Sequence, residues 1–184
     1  CKRYINHGSK IRNKKKNEIF VYNKDSFGTN LRLTEIQSKA GIEQLRFLKK
    51  IQKKREKMSS NYSKLMQEYK KYIDCYLPSH NIKSAWYRFY FFLKSNIKNT
   101  QEIRLKIITN LKRKNIKCFT GACPEIYLEK SFKKLNRFKV IRLKNCKILG
   151  KTSLALDVNH TLSYSQHKNE LIKIKRVLNK IFTF

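Results

Sequence analysis

The sequence predicts an α/β protein, and three observations carry that prediction. From Leu33 to about Lys71, apolar residues recur at helical spacing: Ile36, Ala40, Leu45, Leu48, Ile51, Met58, Tyr62, Leu65 and Tyr69. Ser84 to Leu93 is dense in aromatics with no breaker, which suits a strand buried on both faces. Helical and short extended stretches then alternate to the end of the chain. With 184 residues, 40% hydrophobic and 12% aromatic, the chain can bury a core and is not a disordered segment.

In order along the chain, residues 1–27 are basic and poor in apolar periodicity. Lys14-Lys15-Lys16 reads as a solvated loop and Ile19 to Tyr22 as a short extended piece. Thr34 fits a helix N-cap, and Gln37, three residues on, fits the reciprocal position of a capping box. Gly28 frees the backbone just upstream, so Asn30 and Arg32 come close to a helix N-terminus. Its free amides and positive dipole end favour an anion. The long helix is expected to break near Ser59-Ser60. Lys49, Lys50, Lys53, Lys54 and Lys57 make its other face cationic, and Pro78 closes the helical region.

Thr100 fits the N-cap of a second helix through Ile103, Ile107, Ile108 and Leu111, with Asn115 at its end. Ile116 to Phe119 reads as a short strand running into a segment from Thr120 to Tyr127. A basic-apolar strand is expected from Arg137 to Leu143. The last helix is capped at Ser163 or Ser165 and buries Leu171, Ile174, Leu178 and Ile181, with Lys173, Lys175 and Lys180 outside.

The formal net charge is +32. It predicts non-specific attraction to nucleic acid. Lysine outnumbers arginine roughly threefold and the charge is spread along the whole chain. A surface selected for nucleic acid uses more arginine and concentrates it. No apolar run reaches the ~20 residues of a membrane span. Five cysteines, an odd number without framework spacing, suit a reducing cytoplasm. Cys118 and Cys123 invite a zinc site with Cys146, His160 and His167, but no second paired knuckle exists. No metal is expected. The chain begins at Cys1 rather than methionine, and the expectation is that it is cut from something longer.

Several stretches together resemble a known family. Gly28-x-Asn30-x-Arg32-x-Thr34-Glu35-Ile36-Gln37 resembles the G-x-N-x-R-[ML]-[TS]-[ED]-[IL]-Q signature of the DegT/DnrJ/StrS family, pyridoxal-phosphate-dependent aminotransferases acting on nucleotide-linked keto sugars. Arg3 to Gly8 resembles its LRNHG stretch, and Ser84 to Leu93 its AWYxY strand. The run from Cys118 to Lys130 resembles CFSGSCxEIYLEK, through Cys118, Phe119, Gly121, Cys123, Glu125, Ile126, Tyr127, Leu128, Glu129 and Lys130. Leu149 to Leu154 resembles LGETSL with Lys151 in place of the acid, and Val158 to Ser163 resembles VHPTLS with the Pro lost.

The resemblance implies the C-terminal part of a fold-type-I transferase: a long connecting helix and a small α/β domain with a short, mostly antiparallel sheet. Residues 1–33 would be the tail of the large cofactor domain with an active-site loop, 34–77 the connecting helix and 78–184 the small domain. It implies pyridoxal phosphate as cofactor and a nucleotide-linked keto sugar and glutamate as substrates, in polysaccharide or glycoconjugate synthesis, with a homodimer as the assembly. Asn30 would reach the phosphate of the neighbouring subunit's cofactor, with Arg32 beside it. Phe119, Gly121, Cys123, Glu125 and Tyr127 would shape the sugar pocket. No catalytic residue is assigned, because the Schiff-base lysine is expected upstream of Cys1, and the chain alone is expected to be inactive. Two rival readings are a non-catalytic partner subunit, completing a neighbour's site through Asn30, and a basic RNA-binding module.

Overall fold

The computed structural model describes Tyr4 and residues 26–31, 33–121, 124–129 and 141–182. The chain divides into two compact units, residues 1–49 and 50–184. In the first, the Thr29 amide donates to the Tyr4 carbonyl at 2.8 Å. That bond joins the stretch around Tyr4 to the Gly28–Gln37 motif. Helix α1 (Glu35–Gln67) then starts on the expected capping box. The Thr34 amide donates to Gln37 Oε1 at 3.0 Å, and the Gln37 amide donates back to Thr34 Oγ1 at 3.3 Å. Glu35 in the first turn complements the helix dipole.

Helix α1 does not break at Ser59-Ser60. A serine in a helix costs only a few tenths of a kcal/mol against alanine. Ser59 is buried among Met58, Tyr62, Leu65 and Met66, whose packing outweighs that cost. The apolar stripe is buried only over this second half. Ile36, Leu45 and Leu48 near the start are exposed. The helix ends at Gln67, short of Lys71, and a turn leads to a strand not anticipated from the sequence, β1 (Ile73–Asp74).

Strand β2 (Arg88–Leu93) is shorter than the aromatic run and is not buried on both faces. Trp86 holds a positive φ of 46°, which breaks the extended backbone, and its ring stacks on Phe89 at 6.1 Å instead. Phe89, Phe91 and Leu93 are buried, while Tyr90 is exposed and Arg88 and Phe92 are half-buried. The outward positions are themselves mostly aromatic, so composition hid the alternation.

Helix α2 (Thr100–Arg113) has Asn99, not Thr100, at its N-cap position. The Thr100 hydroxyl turns back to donate to the Ile97 carbonyl at 2.6 Å. Its C-terminus closes as expected at Asn115, which takes the left-handed conformation with φ 60°. The Ile116 amide donates to Leu111 O and the Asn115 amide to Lys112 O, a Schellman pair whose two apolar ends, Ile116 and Leu111, are both buried.

Strand β3 (Cys118–Phe119), helix α3 (Lys144–Thr152) and strand β4 (Ser153–Asp157) follow. The strand expected over 137–143 lies mostly outside the described residues, and its described part, 141–143, is irregular and leads into α3. Helix α4 (Tyr164–Phe182) is capped by Ser163, not Ser165. The Ser163 amide donates to Gln166 Oε1 at 2.7 Å, and the Gln166 amide to Ser163 Oγ at 3.2 Å, a second capping box. Ile174 and Leu178 are buried as expected, and Leu171 and Ile181 are half-buried against the core.

The four strands form one antiparallel sheet in the order β1-β2-β4-β3. Phe89 pairs with Leu156 and Phe91 with Leu154, so one face of the sheet is apolar. It shares a core with Tyr62 and Met66 of α1, Ile107 and Leu111 of α2, and Ile174 and Leu178 of α4. Each fully buried side chain of this kind stabilises the fold by about 1.5–3 kcal/mol. Tyr62 brings a hydroxyl into the core and donates it to Glu170 Oε2 at 2.8 Å. Burial first, then the Glu170 carboxylate, keeps that phenol protonated at any ordinary pH.

Candidate functional site: the Phe119–Glu129 segment

Phe119 ends β3, paired with Ala155 of β4. Beyond it the chain must turn sharply, and Gly121 makes the turn with φ 89°. A Cβ there would lie 2.8 Å from Ser153 Oγ, so glycine answers both the conformation and the space. The Ser153 hydroxyl donates to the Thr120 carbonyl at 2.7 Å and pins the turn to the start of β4.

The segment is then fastened in two places, on α3 and just ahead of it. Pro124 packs on Gly150, where a Cβ would come within 2.5 Å of the proline ring. The Gly150 carbonyl in turn accepts from Arg104 of α2, a guanidinium whose pKa burial lowers. The second fastening is ionic. Arg142 donates from Nε to Glu125 Oε1 at 3.1 Å and from Nη2 to both carboxylate oxygens, at 3.0 and 2.9 Å. The Tyr127 hydroxyl donates to Glu125 Oε1 at 2.9 Å and accepts from the Leu143 amide at 3.0 Å. These bonds hold the single turn Ile126–Leu128 against the entry to α3.

The electrostatics follow from the contacts. The hydrogen bonds from Arg142 hold the Glu125 carboxyl below its ordinary range, and Arg142 is raised in return. At Tyr127 the Leu143 amide favours the phenolate, but partial burial and the Glu125 carboxylate outweigh it and the pKa rises. Burial pushes the Cys118 thiol up to about 12, which suits a packing residue rather than a nucleophile.

Of the residues expected from the sequence, the structure places Phe119, Gly121, Glu125 and Tyr127 along this one fastened segment. Cys123 lies outside the described residues, as does Arg32. Asn30 belongs to the first unit, exposed and in an isolated bridge four residues before the cap residue Thr34. Glu125 and Tyr127 engage the chain's own Arg142 and Leu143, so they shape the segment rather than offer open polar groups. Sequence reasoning missed Arg142, Gly150 and Ser153. Arginine is scarce in so lysine-rich a chain, and a planar fork is what a bidentate carboxylate contact requires, so the choice of Arg at 142 was itself a signal.

Among the described residues no group of three or more His, Cys, Asp and Glu could hold a metal ion, and no helix is long and apolar enough to cross a membrane. Comparison with curated proteins finds no match. Solved structures do match. An aminotransferase from Psychrobacter cryohalolentis is 25% identical, with a TM-score of 0.78 over 98% of this chain and 47% of that one. Helicobacter pylori PseC, an aminotransferase of pseudoaminic acid biosynthesis, is 21% identical, with a TM-score of 0.78 over 97% of this chain and 45% of that one. The E. coli GDP-4-keto-6-deoxy-D-mannose-3-dehydratase, solved with bound hydrated pyridoxal phosphate, is 23% identical, with a TM-score of 0.70 over 85% and 38%.

The chain thus spans less than half the length of these proteins. Its α/β fold is that of a C-terminal part of a fold-type-I transferase, with the long helix and short antiparallel sheet expected. Pyridoxal phosphate is the cofactor that goes with this fold and family. The sequence profile of the DegT/DnrJ/EryC1/StrS aminotransferases matches residues 1–174, and the chain belongs to that family.

Proposed function

We propose that this chain is the C-terminal portion of an aminotransferase that moves an amino group from glutamate to a nucleotide-linked keto sugar, for polysaccharide or glycoconjugate synthesis. The observation that supports this most is the fastened segment Phe119–Glu129. By the family resemblance it corresponds to the wall of the sugar pocket, and it is held by Arg142 just ahead of α3, by Gly150 of α3 and by Ser153 of β4. The reading brings with it a homodimer in the cytoplasm and the division into residues 1–33, 34–77 and 78–184.

Pyridoxal phosphate, when bound, supplies the electron sink through which the amino group is exchanged. Asn30 fits a contact to its phosphate. It is exposed and stands just ahead of a capped helix N-terminus, whose remaining first-turn amides and dipole favour an anion. In this reading Asn30 donates its side-chain amide to the cofactor phosphate of the neighbouring subunit, and Arg32 is assigned to the same anion by the family resemblance alone. Gly121 and the Glu125–Arg142 clasp, in this reading, hold the segment in shape with Phe119 and Tyr127 on the sugar wall, and Cys123 is assigned to the sugar by the family resemblance alone. The net charge of +32 adds weak, salt-sensitive attraction to nucleic acid as a side property.

The test is the enzyme encoded by the open frame that carries these residues, loaded with pyridoxal phosphate. With glutamate and a nucleotide-linked keto sugar, it is expected to yield amino sugar and 2-oxoglutarate in equal amounts. A cofactor-loaded enzyme that aminates no such sugar contradicts the reading. The 184-residue chain alone is expected to show no turnover. A pyridoxal phosphate absorbance band surviving dialysis, with transamination by that chain, overturns this part.

A further inference from the structure

Strand β2 turns Arg88, Tyr90 and Phe92 away from the core, because Phe89, Phe91 and Leu93 between them face into it. On that outer face the register aligns Tyr90 with Ala155 and Ala155 with Phe119, with Arg88 opposite Asp157 in the next pair along. The Arg88 side chain crosses this surface diagonally. Its guanidinium carbon lies 4.3 Å from the centroid of the Phe119 ring and 5.5 Å from that of Tyr87. Alanine at 155, fully buried although it is on the outer face, leaves room for the crossing.

Despite that fixed position, the Arg88 side chain makes no hydrogen bond or ion pair with any described residue, not even with Asp157 across the ladder. A cation–π contact through the guanidinium carbon does not satisfy the fork of N–H donors, which suits a planar or tetrahedral oxyanion. Phe119 and Tyr87 are both exposed, so the fork stands between two accessible rings, at the start of the segment described above.

We propose that Arg88 is a substrate-binding residue: held over Phe119 and flanked by Tyr87, it takes an oxyanion of the substrate, phosphate or carboxylate, on the outer face of the sheet. The inference rests on the reading of the Phe119–Tyr127 segment as a substrate wall. That reading offers two sources of oxyanion, the diphosphate of a nucleotide-linked sugar and the carboxylates of the amino donor.

The experiment titrates the 184-residue chain by calorimetry at about 0.15 M salt, where diffuse attraction to a charge of +32 is largely screened. The probes are uridine diphosphate and, separately, glutamate. The variants are Arg88→Gln, Arg88→Lys and Phe119→Leu, with Lys112→Gln as an exposed control that removes the same charge elsewhere. Arg88→Gln is expected to weaken one probe about tenfold to a hundredfold, the loss that goes with a charged hydrogen-bonded contact. Lys should restore only part, since it lacks the fork, Leu at 119 should weaken binding partially, and Lys112→Gln should leave it unchanged. A loss confined to uridine diphosphate assigns the phosphate, and a loss confined to glutamate assigns the carboxylate. Equal losses in Arg88→Gln and Lys112→Gln, or no saturable binding of either probe, overturn the proposal. In the whole enzyme, Arg88→Gln should raise KM for the matching substrate more than it lowers kcat. Unchanged KM for both substrates in an enzyme that aminates the sugar removes Arg88 alone, whereas a wild-type enzyme that aminates nothing removes the aminotransferase reading.

Discussion

Arg142 closes on Glu125, 17 residues earlier in the chain, with three hydrogen bonds of 2.9 to 3.1 Å. An exposed ion pair of this kind does little for global stability when its geometry is loose. Here the fork is bidentate and a third partner, Tyr127, shares Glu125 Oε1, so the effect is local order.

Arg142→Ala is therefore expected to leave the thermal midpoint nearly unchanged while speeding amide exchange across residues 124–129. Arg142→Lys should not restore protection, because an ammonium cannot make the paired contact. Hydrogen exchange followed by mass spectrometry reads this directly. Unchanged exchange in Arg142→Ala would mean that the Pro124–Gly150 packing alone orders the segment.

The clasp also has a pH signature. The Glu125 pKa is lowered in the folded chain, so its contribution is fully present above the ordinary carboxylate range and fades as pH falls through the lowered folded value. Protection of residues 124–129 should thus hold from neutral pH down through pH 5 and be lost only in stronger acid. Loosening near pH 7 would assign the order to some other group.

Gly150→Ala sets two effects against each other. Alanine favours a helix by about 1 kcal/mol over glycine. Its Cβ, however, would lie 2.5 Å from Pro124 Cγ and 2.9 Å from Pro124 Cβ, and overpacking costs about 1–3 kcal/mol. The clash is with a stiff ring, so net destabilisation of about 1 kcal/mol is expected in urea unfolding. A more stable variant would show that the Pro124 contact yields freely.

Asn115→Gly should act the other way. Asn115 sits at φ 60°, a conformation that costs any residue with a Cβ and costs glycine nothing. Stabilisation of about 0.5–1 kcal/mol is expected, again by urea unfolding. A loss would mean that the Asn115 side chain contributes more than its backbone costs.

The features legible in the sequence were those governed by local rules. The Thr34–Gln37 box is a three-residue relationship that needs nothing from the rest of the fold, and Asn115 marked a helix end for the same reason. Strand β4 was not legible. Its run Leu154-Ala155-Leu156 is too short to distinguish from the end of a helix, and its place at the sheet centre depends on Phe89 and Phe91, more than sixty residues earlier. The N-cap position expected for Thr100 falls instead to Asn99, which holds it with a left-handed backbone and no side-chain cap bond. At the candidate site the Phe119–Tyr127 segment was legible through its resemblance, but the clasp of Arg142 on Glu125 and the contact of Arg88 with Phe119 were not. Both are made across turns and strands, which spacing along the chain does not encode.

The central claim, that these residues form the C-terminal part of a sugar aminotransferase, is tested most directly by sequencing the DNA immediately upstream of the Cys1 codon. The account predicts an open frame in register that carries a lysine ahead of a Gly-rich strand and then runs into Arg3 to Gly8. A stop codon in that frame would contradict it, and no catalytic role could then be assigned to this chain.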